Sequence, residues 1–223
     1  MRKVYLDNAA TSSMKPESVK NAIINYYENI GCSPGRGGYE CSLKAGRIIL
    51  EARTKISNFF NVPKPEQIIF THNVTYALNM AIKGILERGD HVITTSMEHN
   101  SVLRPLKGLE NKNIVEVDYL KCNKDGSLNP KKVEKNIKDN TKLIIITYAS
   151  NVTGTIMPVK EVAKIAEKND IYFVLDTAQA AGLYNLDFQE LKTDIMAFTG
   201  HKGLMGPTGT GGFAISKKAS KNM

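Results

Sequence analysis

The chain has 223 residues, 42% of them hydrophobic, which is enough for one sizeable core or for a large domain plus part of another. It has no run of about 18 apolar residues, and its start, Met1-Arg2-Lys3-Val4-Tyr5-Leu6-Asp7, lacks an apolar leader, so neither a membrane partner nor a secretory signal is expected. The net charge of +8 is carried on helix faces and loops, as in Lys131, Lys132, Lys135 and Lys138; this reads as a solvated surface that attracts small anions, with no nucleic acid partner. Cys32, Cys41 and Cys122 are too few and too scattered for a disulfide framework or a zinc site, so no metal is expected and a reducing cytoplasm fits best.

In chain order, Pro16–Ile30 reads as a helix opening on proline. In Leu43–Phe60, Ala45, Ile49, Ala52, Ile56 and Phe59 share one helical face. Strand Ile68–Thr71 leads through His72-Asn73-Val74-Thr75 into a helical segment, Tyr76–Leu86. A helix N-terminus after a strand suits a phosphate, with Thr75 adding a hydroxyl; plain capping by Asn73 or Thr75 is the alternative. The spacing is not that of a Walker loop, and no strand leads into G-x-G-x-x-G.

Strand His91–Ser96 runs into Met97-Glu98-His99-Asn100-Ser101. There His99 could stack on a flat ring, move a proton, or be a hydrogen-bonded loop histidine. After strand Ile114–Tyr119, strand Lys142–Tyr148 ends in Ala149-Ser150-Asn151-Val152-Thr153-Gly154. Asn151 offers an amide that donates and accepts, or simply a turn residue. Helix Val159–Lys168 turns Val162, Ile165 and Ala166 inward. Strand Ile171–Asp176 finishes on a carboxylate followed by Thr177-Ala178-Gln179. A buried strand-end carboxylate needs a partner, for which a protonated pyridine nitrogen is suitable; helix capping is the alternative.

Strand Asp194–Thr199 ends in Gly200-His201-Lys202-Gly203. Burial and cationic neighbours would make Lys202 nucleophilic toward an aldehyde, and a surface lysine in a glycine-rich loop is the alternative. Gly206-Pro207-Thr208-Gly209-Thr210-Gly211-Gly212 then turns the chain into strand Gly212–Ser216. The βαβα order specifies an α/β fold, largely parallel, with helices on both faces and ligands at the carboxyl ends of the strands. At five such ends stand a phosphate cradle, a ring stacker, a polar ring contact, a ring-nitrogen carboxylate and a Schiff-base lysine.

These stretches resemble the class V aminotransferase group of fold type I pyridoxal phosphate enzymes, and within it the cysteine desulfurases and selenocysteine lyases. The likeness is carried by Tyr5-Leu6-Asp7-Asn8-Ala9-Ala10-Thr11, Ser96-Met97-Glu98-His99-Asn100-Ser101, Ser150-Asn151-Val152-Thr153-Gly154, Asp176-Thr177-Ala178-Gln179 and Thr199-Gly200-His201-Lys202. The resemblance implies pyridoxal 5'-phosphate as cofactor, with Lys202 as Schiff-base and proton-transfer lysine and His99 stacked on the ring. It places Asp176 at the ring nitrogen, Gln179 at the ring hydroxyl, and Thr75, Thr199 and His201 at the phosphate. Asn151 is implied near the ring hydroxyl and the substrate carboxylate, with Asn8 and Ala9 at the substrate entrance. Asn73 and Val74 depart from the family's glycine and small or hydroxylated residue, so backbone amides there would serve the phosphate.

The implied fold is a mostly parallel seven-stranded sheet whose last strand is antiparallel. Residues 1–13 would be a segment near the active-site entrance and 14–223 the large cofactor domain. The family's small C-terminal domain, with its substrate arginine and sulfur-accepting cysteine, is expected to be absent. The implied reaction takes sulfur from L-cysteine or a related amino acid, giving alanine and a persulfide. A sulfur acceptor protein, a homodimer and a link to iron–sulfur cluster assembly go with it. The alternatives are another class V aminotransferase or lyase, or a catalytically incomplete cofactor-domain fragment. Cys32 or Cys41 as a substitute acceptor, and Arg36 as a substitute carboxylate clamp, are further readings of the loop at 33–38.

Overall fold

The run Leu143-Ile144-Ile145-Ile146 forms the middle of a sheet in the computed structural model, which describes residues 4–35 and 37–221. All four side chains are fully buried, Ile144 and Ile146 in one core and Leu143 and Ile145 in the other. A strand covered on both faces needs such a continuous aliphatic run, because its alternating side chains never meet water. Each wholly buried Leu or Ile stabilises the fold by about 1.5–3 kcal/mol.

The strands are β1 (Ile68–Thr71), β2 (Asp90–Thr95), β3 (Val115–Leu120), β4 (Thr141–Thr147), β5 (Tyr172–Asp176), β6 (Ile195–Thr199) and β7 (Gly211–Ile215). They form one seven-stranded sheet in the order β1-β7-β6-β5-β4-β2-β3. β2 pairs parallel with β3 and β4, β4 with β5, and β5 with β6. β7 runs antiparallel to both neighbours, β1 and β6. The expected architecture, one antiparallel strand included, is present. Several strand bounds lie one residue earlier or later than the sequence pattern suggests.

The helices are α1 (Glu17–Asn29), α2 (Glu40–Phe59), α3 (Val74–Ile85), α4 (Asn100–Glu110), α5 (Pro130–Lys135) and α6 (Val159–Lys168). α3 and α4 cover one face through Ala77, Leu78, Ala81, Ile82, Val102 and Leu106. α6 and Val133 of α5 cover the other. α4 and α5 are additions to the expected helices; α4 carries Pro105 inside it, which weakens the usual helix signal. The α2 stripe is only partly inward: Ala45 is buried, but Ile49 and Phe59 are exposed. Phe60, one residue past the helix, takes the core position instead, with its ring 5.3 Å from that of Phe198. α1 has no buried residue. Among the described residues no helix is long and apolar enough to cross a membrane.

β2 and β4 are neighbours, and the chain leaves them in opposite directions, toward β3 and toward β5. Such a reversal opens a crevice at the carboxyl ends of the strands. His99, Asn151, Asp176 and Lys202 follow or end β2, β4, β5 and β6 respectively.

Candidate active site

A cavity of about 180 Å³ lies at these strand ends. Asn73, Val74, Thr75, His99, Asn151, Asp176, Gln179, Thr199, His201 and Lys202 all line it, so every expected cofactor-contacting residue comes to one place.

One wall is the N-terminus of α3. Asn73 caps it, its side chain accepting from the Tyr76 N–H at 2.9 Å, while Thr71 Oγ donates to the Asn73 carbonyl at 2.8 Å. Capping and cavity lining are therefore both true of Asn73. No acidic residue occupies the first turn, so the positive end of the helix is left for an anion. Gly211 permits this placement: a Cβ there would lie 2.8 Å from the Asn73 Cα and carbonyl carbon.

His99 is the N-cap of α4, and its Nδ1 accepts from the Ser101 N–H at 3.1 Å. With Nδ1 accepting, a neutral ring carries its proton on Nε2. Asn151 lies within a turn tied by Ser150, whose hydroxyl oxygen accepts from the N–H groups of Val152 and Thr153 at 3.2 and 3.3 Å.

Asp176 is 3% exposed, and its Oδ1 accepts from the Ala178 N–H at 2.9 Å. A turn, not a helix, follows it, so the helix-capping alternative does not apply. Burial pushes the Asp176 carboxyl up, opposed by the Ala178 N–H, His99 and Lys202. Burial pushes the Lys202 amine down, opposed by Asp176. A buried carboxyl and a half-buried amine thus share one cavity.

The N-terminal segment straps this wall. The His201 carbonyl accepts from the Ser12 N–H and from the Thr11 hydroxyl, each at 3.0 Å, and from Lys15 Nζ at 3.0 Å. His201 Nδ1 lies 3.0 Å from Thr11 Oγ1; burial, then Lys202 and Lys15, push the ring's pKa down. Gln179 Nε2 donates to the Ala9 carbonyl at 3.0 Å. Ala9 is therefore adjacent to the site, whereas Asn8 lines a neighbouring cavity with Tyr5, Ser12 and Met205. Ala10, Thr147, Ala149 and Ala178 line the cavity without having been expected to; Ala10 and Ala178 stand beside Ala9 and Gln179, Thr147 ends β4, and Ala149 lies two residues before Asn151.

The cysteine expectation is corrected. Cys32 and Cys41 are bonded to each other, with Cα atoms 5.8 Å apart, because the turn between α1 and α2 folds them together. Neither is a free sulfur acceptor here. Cys122 is buried, and burial pushes its thiol up. Arg36 lies outside the described residues.

The residues present fit pyridoxal phosphate: an uncompensated helix N-terminus, a buried carboxylate that has no salt bridge among the described residues, and a desolvated lysine facing it. The comparisons agree. The chain is 35% identical to a probable cysteine desulfurase of Methanothermobacter thermautotrophicus over 93% of its length, covering 52% of that protein. It is 39% identical to one of Halalkalibacterium halodurans, again over 93% of its length and 52% of that protein. The apo structure of a cysteine desulfurase from Thermococcus onnurineus NA1 superposes with a TM-score of 0.90 at 36% identity, over 96% of this chain and 54% of that one. A structure of SspA in complex with cysteine matches with a TM-score of 0.90 at 29% identity, over 95% of this chain and 60% of that one. The chain spans about half the length of the curated relatives it matches. The family model for class-V aminotransferases, whose members use pyridoxal phosphate, matches residues 4–223, and the chain belongs to that family.

Proposed function

We propose that this chain is the cofactor-holding part of a pyridoxal phosphate-dependent, cysteine desulfurase-like transferase. The observation that carries the reading is Lys202 and Asp176 lining one cavity with the N-terminus of α3. When bound, the cofactor would supply an electron sink for charge developing on the substrate.

The protein's own residues would do the rest. Val74 and Thr75 at the α3 N-terminus, with Thr199 and His201, would hold the phosphate. Asp176 would pair with the ring nitrogen and His99 would lie on the ring face. Gln179, one N–H already given to Ala9, would use its second toward the ring oxygen. Lys202 would provide the amine that anchors the cofactor, its nucleophilicity raised by burial. Once released it would move the proton at the substrate's α-carbon. Asn151, with Asn8 and Ala9 nearby, would face the substrate amino acid.

L-Cysteine and an acceptor thiol would give alanine and the acceptor persulfide, with the carbon–sulfur bond broken and a sulfur–sulfur bond formed. The acceptor thiol is proposed to come from outside the described residues, since Cys32, Cys41 and Cys122 are not among the residues that line the cavity. A large-domain role for residues 14–223, a homodimer, a sulfur acceptor protein, iron–sulfur cluster assembly and a cytoplasmic location belong to the same reading.

Pyridoxal phosphate added to the purified chain is expected to produce a visible absorbance band that Lys202→Ala abolishes. Persistence of the band in Lys202→Ala overturns the assignment. With a thiol acceptor supplied, alanine formed from L-cysteine, but not in Lys202→Ala, supports desulfuration. A bound cofactor with no alanine formed favours the incomplete-fragment reading.

A further inference from the structure

Glu98 is a buried acid to which the proposed chemistry gives no task. It sits between β2 and α4, one residue before His99, and is 6% exposed. Its Oε1 accepts from Thr95 Oγ1 at 2.6 Å, and the Thr147 backbone N–H also faces the carboxyl. Its Oε2 is buried with no hydrogen-bond partner among the described residues. Thr147 is in register with Asp176 across β4 and β5, so two buried acids stand at adjoining strand ends.

Their surroundings differ. Asp176 has the Ala178 N–H and the cationic influence of His99 and Lys202. Glu98 feels Asp176 as a like charge and lies near the Cys122 thiol, on which Lys132 also acts. Two buried carboxyls at adjoining strand ends do not both ionise readily; Glu98 has the donors of Thr95 and Thr147 against the single Ala178 N–H of Asp176, but the cationic influence falls on Asp176, which therefore keeps the charge. An unpartnered oxygen is tolerable on a neutral acid and far more costly on a carboxylate.

We propose that Glu98 is a positioning residue for Asp176: an uncharged acid, fastened by Thr95, that leaves Asp176 the anion at the cavity floor. The inference rests on Asp176 being the group that meets the cofactor's ring nitrogen. Burial, which pushes Glu98 up to about 8 with Asp176 adding to it as a like charge, agrees with the geometry.

The test has one arm without cofactor and one with it. In the cofactor-free chain, carbon-13 carboxyl spectra of glutamate-labelled protein are expected to show one resonance titrating near pH 8 that is missing from Glu98→Gln. Thr95→Val, which removes a donor that favours the charged form, is expected to move that midpoint upward and serves if Glu98→Gln does not fold. With pyridoxal phosphate bound, wild type and Glu98→Gln are expected to agree in spectrum and affinity within about twofold at neutral pH. Above the Glu98 midpoint only the wild type is expected to change. A Glu98 resonance titrating in the ordinary carboxylate range overturns the inference, and so do superimposable pH profiles for the two proteins. Failure of the wild type to bind cofactor overturns the proposed function instead, and the cofactor-free titration still decides for or against a neutral Glu98.

Discussion

Lys202, Asp176 and Glu98 take their behaviour from desolvation, with opposite consequences for the amine and for the acids. Burial disfavours whichever form is charged, so it lowers the lysine and raises both carboxyls. The effect on stability has a definite sign. Glu98 in the folded chain holds its proton up to about pH 8, whereas its ordinary value is 4.5. Between those values the unfolded chain has lost a proton that the folded chain retains. Stability from this group is therefore complete below the lower value and falls as pH rises toward the upper one, by about 1.4 kcal/mol per pH unit. Asp176 is raised as well, so it acts in the same sense in its own range. Urea unfolding of the cofactor-free chain is expected to show stability declining from pH 5 to pH 8, with a shallower decline in Glu98→Gln. The gap between the two slopes would total roughly 4 kcal/mol at most. Parallel slopes would mean that Glu98 ionises in the folded chain as it does in water.

At the element scale, the site depends on how closely α3 approaches β7. Gly211 begins β7 where a Cβ would meet the Asn73 backbone at 2.8 Å and the Phe198 carbonyl at 2.9 Å. Backbone cannot swing aside as a flexible side chain can, so Gly211→Ala must push the helix start away from the sheet. A loss of about 1–3 kcal/mol is expected in urea unfolding. Weaker cofactor binding should accompany it, because Asn73, Val74 and Thr75 move with the helix. Unchanged affinity would show that this approach does not set the anion site. The elements were largely legible in the sequence, since runs such as Leu143–Ile146 and Phe173–Leu175 have few other places to go. Their strand ends exposed Lys202, Asp176 and His99 for the same reason. What the pattern could not show depends on approach between distant segments. The Gly211 contact, the strap from Thr11 and Ser12 to His201, and the Gln179–Ala9 bond join positions far apart in the chain. α4 was hidden by Pro105, and the core position expected of Phe59 is taken by its neighbour Phe60.

Over the whole molecule, anchoring is uneven. The sheet, α3, α4 and α6 share two extensive cores, whereas α1 contributes no buried residue to either. The α1–α2 connection is tied by the Cys32–Cys41 bond, by the Tyr26 hydroxyl donating to the Cys32 carbonyl at 2.7 Å, and by Ser42 Oγ donating to the Ser33 carbonyl at 3.0 Å. A cross-link closing so short a loop removes about 2–3 kcal/mol of unfolded-chain freedom, and that stabilisation is local to what it joins. Reduction is therefore expected to speed amide hydrogen exchange in Glu17–Asn29 by tenfold or more while α3 and β5 keep their protection. Cys32→Ser should reproduce the effect without reductant. A uniform loss of protection across the sheet would instead tie α1 into the cooperative core. The same bond reports on compartment: in a reducing cytoplasm, trapping thiols at lysis is expected to find Cys32 and Cys41 free, and α1 would then work in its looser state. If trapping finds them still bonded, the chain resides where disulfides persist, and the cytoplasmic assignment falls while the cofactor site, built on the other elements, stands.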